Sequence, residues 1–594
     1  MRIGPAGVAA STRLGRVVIV LVISAAAGAV ASTHRIFTAT DDEPQHVAAG
    51  LDWLSGSSAL WSHGHTHYVL NPPGARIAVA TLPWLAGLRL VDDMRDLFYG
   101  GRGYWTNLSL ARAGVLPFLA LALLVCWTWG RRLYGETPAL VAAILLATTP
   151  PLLAHAGLAT TDVAFTALFA LALLAFVRWL EAPTPPRAAG LGLAFAAAFS
   201  TKLSAIFLIP IFVVLALLCW GGGENETGGA RQPQPRPRPF LVVRQLALAA
   251  LIGATAVWAV YQFSWGSPRA IADPAVFPHM LDVCFQKPWS RALAERLLSL
   301  PMPAPEVADA FLYLCQETAP GQSTSYLFGK ITQHGFPAFF WVALAVKTPL
   351  PLLALALLGA VVIVRQLRRG VPTHDDRPVP RWLALTPILV VAIIMVEVTP
   401  TRLNIGVRHL LPLYAFIALL AAKGAVSLWR AAGRWRNPAR GLAVVLLGWQ
   451  LVTPVLAHPD HLAYFNALAG RHPDRILVDS DLDWGQDLAR LEKLTAELHV
   501  DELSIAYFGP GNLCRHKLPR GRWLHPRERA TGWVAVSEMY AHGVVGYSYR
   551  NSDYCAPGQI VDDGPPDPEA FAWLRPYTPV ARAGRSIRLY YIPR

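Results

Sequence analysis

The sequence is short of charge: Asp, Glu, Lys and Arg together make up 15% of its 594 residues, against 54% hydrophobic. So few charges on so long a chain exclude an ordinary soluble protein and point to the bilayer as solvent. Cysteine is scarce too, and six exclude a disulfide scaffold. Acids are outnumbered, which gives a formal charge of +14. That excess does not argue for nucleic acid, because the basic residues cluster in short stretches such as RQPQPRPRP, RQLRRG and RAAGRWRNPAR between apolar runs. Such clusters are the mark of cytoplasmic loops. Neither heptads nor internal repeats are present, and no two halves match.

Apolar runs are what the chain has in abundance. A crossing helix needs about 20 mostly apolar residues, fewer inside a bundle. Candidate spans run over 17–34, 107–129, 138–154, 162–180, 188–201, 203–220, 240–263, 340–364, 382–400, 405–423 and 440–457. The first, VVIVLVISAAAGAVAS behind Arg13 and Arg16, reads as an uncleaved helix because further spans follow. About eleven spans with the basic loops inside place the N-terminus in the cytoplasm and the C-terminus outside. The expectation is a mainly α, polytopic membrane protein: a transmembrane part at 1–457, with a first outer loop at 35–106 and a large one at 264–339, and a small extracytoplasmic α/β domain at 458–594. In that tail RILVDS, ELSIAYFG and GWVAVSEM read as strands and GQDLARLEKLTAEL as a helix. Cys284, Cys315, Cys514 and Cys555 all fall in outer segments, where two bridges are permitted, and pairing within each segment joins Cys284 to Cys315 and Cys514 to Cys555.

Polar residues beside the apolar runs are the candidates for chemistry. In DDEPQHVAAGLDWL, Asp42 with Gln45 three residues on suits a helix cap. Glu43 and His46 share a helix face with it, and a carboxylate there can serve as general base. Asp162 in GLATTDVAF again suits an N-cap or a site acid, and Glu397 near a span end is a third acid. Lys202 in STKLS, Lys347 in AVKTPLP, and Arg408 with His409 in NIGVRHLLP sit in or against apolar sequence, where an ionisable group pairs with something. They either pair with the acids or bind a lipid-linked phosphate. His63, His65 and His67 in HGHTH alternate as metal ligands on an extended segment do, although a hydrated loop explains them as well. DSDLDWGQD fails the spacing of a calcium loop and reads as a turn with Asp caps.

Taken together, Asp42–Glu43, Asn71-Pro72-Pro73, TTD at 160–162, FSTKLSAIFLIP, KTPLP and NIGVRHLLP resemble the GT-C superfamily of polyprenyl-phosphate-dependent glycosyltransferases, in the branch of the protein O-mannosyltransferases and lipid A aminoarabinose transferases. HLAYFN and DSDLDWGQDL look like a bacterial subgroup. The resemblance implies an enzyme of the plasma membrane that transfers sugar with inversion from a polyprenyl-phosphate donor to a protein, lipid or glycan hydroxyl outside. It implies Asp42 as base with Glu43 and Asp162 beside it, and Lys202, Lys347, Arg408 and His409 around the donor phosphate. His46 and the loop Asn71-Pro72-Pro73 would shape the acceptor side, with Asn71 where such enzymes commonly carry His. No cofactor is certain, a divalent metal stays open, and nucleic acid is not a partner. The rivals are a transporter or flippase of lipid-linked sugars, which does no transfer chemistry, and an inactive scaffold.

Overall fold

The computed structural model describes residues 5–56, 71–91, 93–221, 238–374, 378–546, 548–549, 553–555, 561–562 and 565–594. His63, His65, His67 and most of the linker 221–239 lie outside the described residues.

Among the described residues, nine helices are long and apolar enough to cross a membrane: Arg13–Ala31, Tyr104–Leu133, Asp162–Glu181, Leu203–Gly221, Pro239–Val260, Leu350–Arg368, Arg381–Val398, Val407–Trp429 and Gly433–Ala457. A tenth, Glu136–Ala147 with Pro150–Ala156, is bent by 63°, at the point where Pro150 and Pro151 open a new helix. The chain is thus a polytopic membrane protein. The expected span 188–201 is the helix Pro185–Phe199, which at 15 residues is shorter than the others. It packs close to Pro239–Val260: a Cβ on Gly192 would lie 2.3 Å from the Ala249 carbonyl oxygen.

The expected single span 340–364 is corrected. Phe339–Lys347 ends at Thr348, whose extended backbone (φ −93°, ψ 134°) precedes Pro349, and a new helix starts at Leu350. A residue before proline is driven out of the helical region, so the apolar run cannot continue as one rod.

Val407–Trp429 is the central helix and the most deeply buried of the nine. Over Leu411–Trp429 the sequence LPLYAFIALLAAKGAVSLW is apolar on nearly every face, as suits a helix enclosed by others, and the buried Lys423 donates to the Thr373 carbonyl at 2.6 Å. Gly424 and Gly359 meet where it crosses Leu350–Arg368: a Cβ on Gly359 would stand 1.8 Å from the Leu420 carbonyl oxygen. Small residues permit that approach.

Beyond the last span the chain first runs across one end of the bundle, residues 458–487, and then forms a five-stranded sheet. Its order is Ala581–Ala583, Ile587–Ile592, Gly532–Ser537, Glu502–Ala506, Arg520–Trp523, antiparallel on one side and parallel on the other. Alternate residues bury two clusters, one around Leu503, Ile505 and Leu589 under the helix Leu488–Glu497, the other around Val534, Val536 and Tyr590. ELSIAYFG and GWVAVSEM supply two of the strands, as expected. RILVDS does not form one: Pro473–Arg475 is a 3-10 turn and Asp479–Leu482 a short helix. The segment is held by the membrane helices rather than by a sheet edge.

Cys284 and Cys315 are joined with Cα atoms 5.9 Å apart, Cys514 and Cys555 with Cα atoms 5.2 Å apart, the pairing expected from the sequence. Cys126 and Cys219 are free.

Candidate active site

The helix Asp42–Ser55 begins differently from the expected Asp42–Gln45 cap. Thr40 and Glu43 form the box instead: the Thr40 backbone N–H donates to Glu43 Oε2 at 2.8 Å and its hydroxyl to the same oxygen at 3.2 Å. Glu43 is fully buried and also accepts from Arg112 Nε and Nη2, at 2.8 and 2.7 Å, and from the Ala159 N–H at 2.8 Å. Arg112 directs its remaining donors to the carbonyls of His34, Phe37 and Thr38 at 2.8–2.9 Å. All five guanidinium N–H groups are therefore satisfied. Glu43 is the post on which the first loop is built, and its carboxylate is fully taken up. Arg112, inside an expected span, is the partner that sequence reading passed over; an arginine in an apolar run was the signal.

With Glu43 turned inward, Asp42 faces the other way. Its Oδ2 pairs with Arg408 and lies 4.0 Å from His46 Nε2, one turn along the same helix. His46 Nδ1 accepts from Arg76 Nε at 3.3 Å. Arg76 is brought there by the helix Gly74–Leu85, which approaches so closely that a Cβ on Gly50 would lie 2.1 Å from the Arg76 carbonyl oxygen. Burial alone would raise the Asp42 carboxyl, but the Arg408 guanidinium overcomes it and holds the pKa below the ordinary value. Its neighbour Asp41 is pushed up to about 7 by burial and by the Asp42 charge.

Asp162 is the first residue of its helix, one place past the N-cap Thr161. Its Oδ1 accepts from Lys202 Nζ at 2.7 Å, and Oδ2 lies 4.0 Å from His155 Nδ1. The Gly74 N–H donates to the Ser200 carbonyl at 2.7 Å, which sets the loop Asn71-Pro72-Pro73 beside STKLS. A Cβ at position 74 would stand 2.6 Å from that carbonyl oxygen, so glycine is needed there.

Arg408 and His409 lie in the 3-10 turn Val407–Leu410 that opens the central helix. The Arg408 guanidinium carbon stands 4.5 Å from the ring centre of Trp484. His409 is stacked edge-on near Phe340 at 6.1 Å, and its Nε2 is buried without a hydrogen-bond partner among the described residues.

Lys347 does not join these groups. Its buried ammonium donates to the carbonyls of Leu462 and Asp481 at 2.7 and 2.6 Å, lies 3.9 Å from Asp481 Oδ1, and sits over the Phe465 ring at 4.1 Å. It anchors the segment 458–487.

That segment is the contribution sequence reading missed, because DSDLDWGQD looked like an ordinary capped turn. Asp481 accepts the Val407 N–H at 3.1 Å, and the Ser480 hydroxyl bonds the Ile405 carbonyl. Asp479 sits at φ 38°, strained for a residue with a Cβ, and its carboxyl is pushed up to about 7, chiefly by burial.

Residues 111–225 match the family model of dolichyl-phosphate-mannose-protein mannosyltransferase. This stretch carries Asp162 and Lys202, and the match bears out the family resemblance there. No curated protein sequence matches the chain. Among solved structures, the apo oligosaccharyltransferase of Archaeoglobus fulgidus is 13% identical with a TM-score of 0.43, over 74% of this chain and 55% of that one. The same enzyme tethered to an acceptor peptide is 12% identical with a TM-score of 0.44, over 74% and 54%. ArnT from Cupriavidus metallidurans bound to undecaprenyl phosphate is 14% identical with a TM-score of 0.31, over 96% and 97%. The chain thus spans about half the length of the oligosaccharyltransferase it matches.

Among the described residues, one group of three side chains has metal-ligand atoms within 4.8 Å of one another: Asp474, Glu538 and His542. Arg588 Nη2 already donates to Glu538 at 2.6 Å and Asp474 at 3.1 Å, and lies 3.3 Å from His542 Nε2. A guanidinium holds the place of a cation, so this group does not fit a metal.

Proposed function

We propose that the protein is an inverting membrane glycosyltransferase that moves a sugar from a polyprenyl-phosphate donor to an acceptor hydroxyl on the extracytoplasmic face of the plasma membrane. The observation that carries this reading is a pair of acid–cation couples, the half-buried Asp42–Arg408 and Asp162–Lys202 with its buried Asp162, contributed by four separate parts of the chain to one end of the bundle. Carboxylates beside cations at the mouth of a membrane domain suit a reaction in which one group must take a proton and others must carry a leaving phosphate.

Arg408 neutralises Asp42. The donor phosphate competes for that guanidinium, and Asp42 is released as it binds. Asp42 then takes the acceptor hydroxyl proton while the new bond forms to the anomeric carbon and the bond from that carbon to the phosphate oxygen breaks. Polyprenyl phosphate leaves with its charge held by Arg408 and Lys202. Asp162 and His155 orient Lys202, and the loop Asn71-Pro72-Pro73 bounds the acceptor side. Glu43 positions the first loop and takes no part in proton transfer. The disulfides in 264–339 and in the C-terminal part support placing this face outside, in an oxidising compartment, and the Arg-rich loops inside.

The test is reconstitution of the purified protein in vesicles with a polyprenyl-phosphate sugar labelled in the sugar. Label moving from the lipid to a protein, lipid or glycan acceptor, with free polyprenyl phosphate formed in equal amount, is the expected result. Intact donor appearing in the opposite leaflet with no transfer would establish the transporter instead.

A further inference from the structure

We propose that Trp484, carried by the C-terminal segment, is a positioning residue for the transfer reaction: it fixes both the guanidinium that takes the donor phosphate and the start of the helix that bears the base. The inference rests on the function proposed above.

The side chain does the first task. Trp484 is 2% exposed, and its ring lies against the Arg408 guanidinium, 4.5 Å from centre to carbon. Arg408 Nε is buried with no hydrogen-bond partner among the described residues. Hydrogen bonding at that nitrogen therefore does not set the plane of the guanidinium; the ring face does so together with the Nη1 bond to Asp42. The backbone does the second task. The Trp484 carbonyl accepts the Asp41 N–H at 3.1 Å, one residue before Asp42.

The register of Trp484 is itself fixed from both sides. Its N–H donates to Gln486 Oε1 at 2.8 Å, and Gln486 Nε2 donates to the Leu482 carbonyl at 2.9 Å. On the side of the sheet, Asp483 Oδ2 accepts the Met539 N–H at 2.9 Å, and the Tyr507 hydroxyl donates to the Gly485 carbonyl at 2.7 Å. A tryptophan that only filled space would not need its backbone locked to the first loop and to the sheet at once. The part of the chain beyond the last span is therefore a wall of the reaction site, whatever else it does with acceptors.

The experiment compares Trp484→Phe, which keeps an aromatic face, with Trp484→Leu, which keeps apolar bulk against Ala154, Leu158 and Leu462 but offers no π face. Binding of a short-chain polyprenyl phosphate to the purified full-length protein is measured, together with the pH profile of kcat/KM. Trp484→Phe should stay near wild type. Trp484→Leu should bind roughly 10- to 30-fold more weakly, and the acid limb of its profile should move to higher pH, because a loosened Arg408 no longer holds the Asp42 carboxyl down. Gln486→Ala, which frees the Trp484 backbone without touching the ring, should shift both readouts the same way by less, and serves if Trp484→Leu does not fold. Leu and Phe variants with equal affinity and equal pH profiles, or an unchanged Gln486→Ala where Leu fails to fold, would overturn the inference and leave the proposed function standing. A wild type that binds no polyprenyl phosphate overturns that function and the inference with it.

Discussion

Two neighbouring acids in the first loop have opposite fates. Asp42 faces Arg408 and the site, while Glu43 is enclosed by Arg112 and three backbone or side-chain donors around Thr40 and Ala159. Asp42→Asn should bind donor yet transfer sugar about 100-fold more slowly, since general-base assistance is worth about 10² to 10⁴-fold; a reconstituted assay at saturating donor checks it, and near-normal transfer would remove Asp42 as base. Arg112→Leu should act on stability. It leaves a buried carboxylate without its partner, which typically costs about 3–5 kcal/mol. The expected outcome is a large drop in the thermal midpoint in detergent, while any folded fraction still binds donor. An equal loss of transfer in folded protein would place Glu43 in the chemistry after all. The sequence showed that both acids stand beside a membrane, but which one points inward depends on Arg112, 69 residues away.

At the scale of elements, packing is decided by a few glycines. Gly359→Ala should lower the thermal midpoint, because the added Cβ would meet the Leu420 carbonyl oxygen at 1.8 Å and the two helices must part. Overpacking of this kind costs about 1–3 kcal/mol. Gly448→Ala, with nothing within 4 Å of its added Cβ, is the control and should leave the midpoint near wild type or raise it. Equal midpoints for the two variants would mean that the central crossing is looser than the structure has it. Most spans were legible because apolar length alone determines them. The break at Thr348 was written in Pro349 and Pro351, yet a run of apolar residues outweighed it, and the shortness of Pro185–Phe199 depends on its neighbours rather than on its own composition.

For the molecule as a whole, the question is how the C-terminal part is held. Asp474, Glu538, His542, Arg588 and Tyr326 form one polar cluster that joins the segment 458–487, the sheet and the loop 264–339. Burial would raise the Asp474 carboxyl, but the hydrogen bond from His542 and the Arg588 charge prevail and hold it at about 2. Burial likewise opposes charging of His542, and its bonds to Asp474 and Glu538 prevail and raise it. The histidine thus contributes stability that is complete below its unfolded pKa of about 6.5 and is lost as pH rises through the folded value; the aspartate contributes stability that is lost as pH falls below about 4 toward 2. Docking should be firmest between about pH 4 and 6.5. Tryptophan fluorescence during thermal unfolding should show the midpoint falling from pH 6 to pH 9, and His542→Gln should flatten that fall. An unchanged slope in the variant would assign the pH dependence elsewhere. Topology is checked with single cysteines at Arg434 and Lys517, both exposed, in a background whose native cysteines are replaced: an impermeant thiol reagent should reach only position 517 from outside.

The sequence by itself determined the membrane class, nearly every span and the acids and cations worth attention, because these follow from local composition, sidedness and the types of residue present; it offered the cysteine pairing as an expectation, and the structure made it. Tertiary structure decided the rest. Pairing among ionisable groups depends on which helices bring them together: Lys347 was drawn to the carbonyls of Leu462 and Asp481, and Arg408 to Asp42 and the face of Trp484. Charges in a poorly hydrated bundle must each find a partner, and the partners lie from 40 to 366 residues away. No local pattern in DSDLDWGQD could say that it would run under the candidate site, since its place there is fixed by bonds to Thr38, Asp41 and Val407 that exist only when the chain is folded.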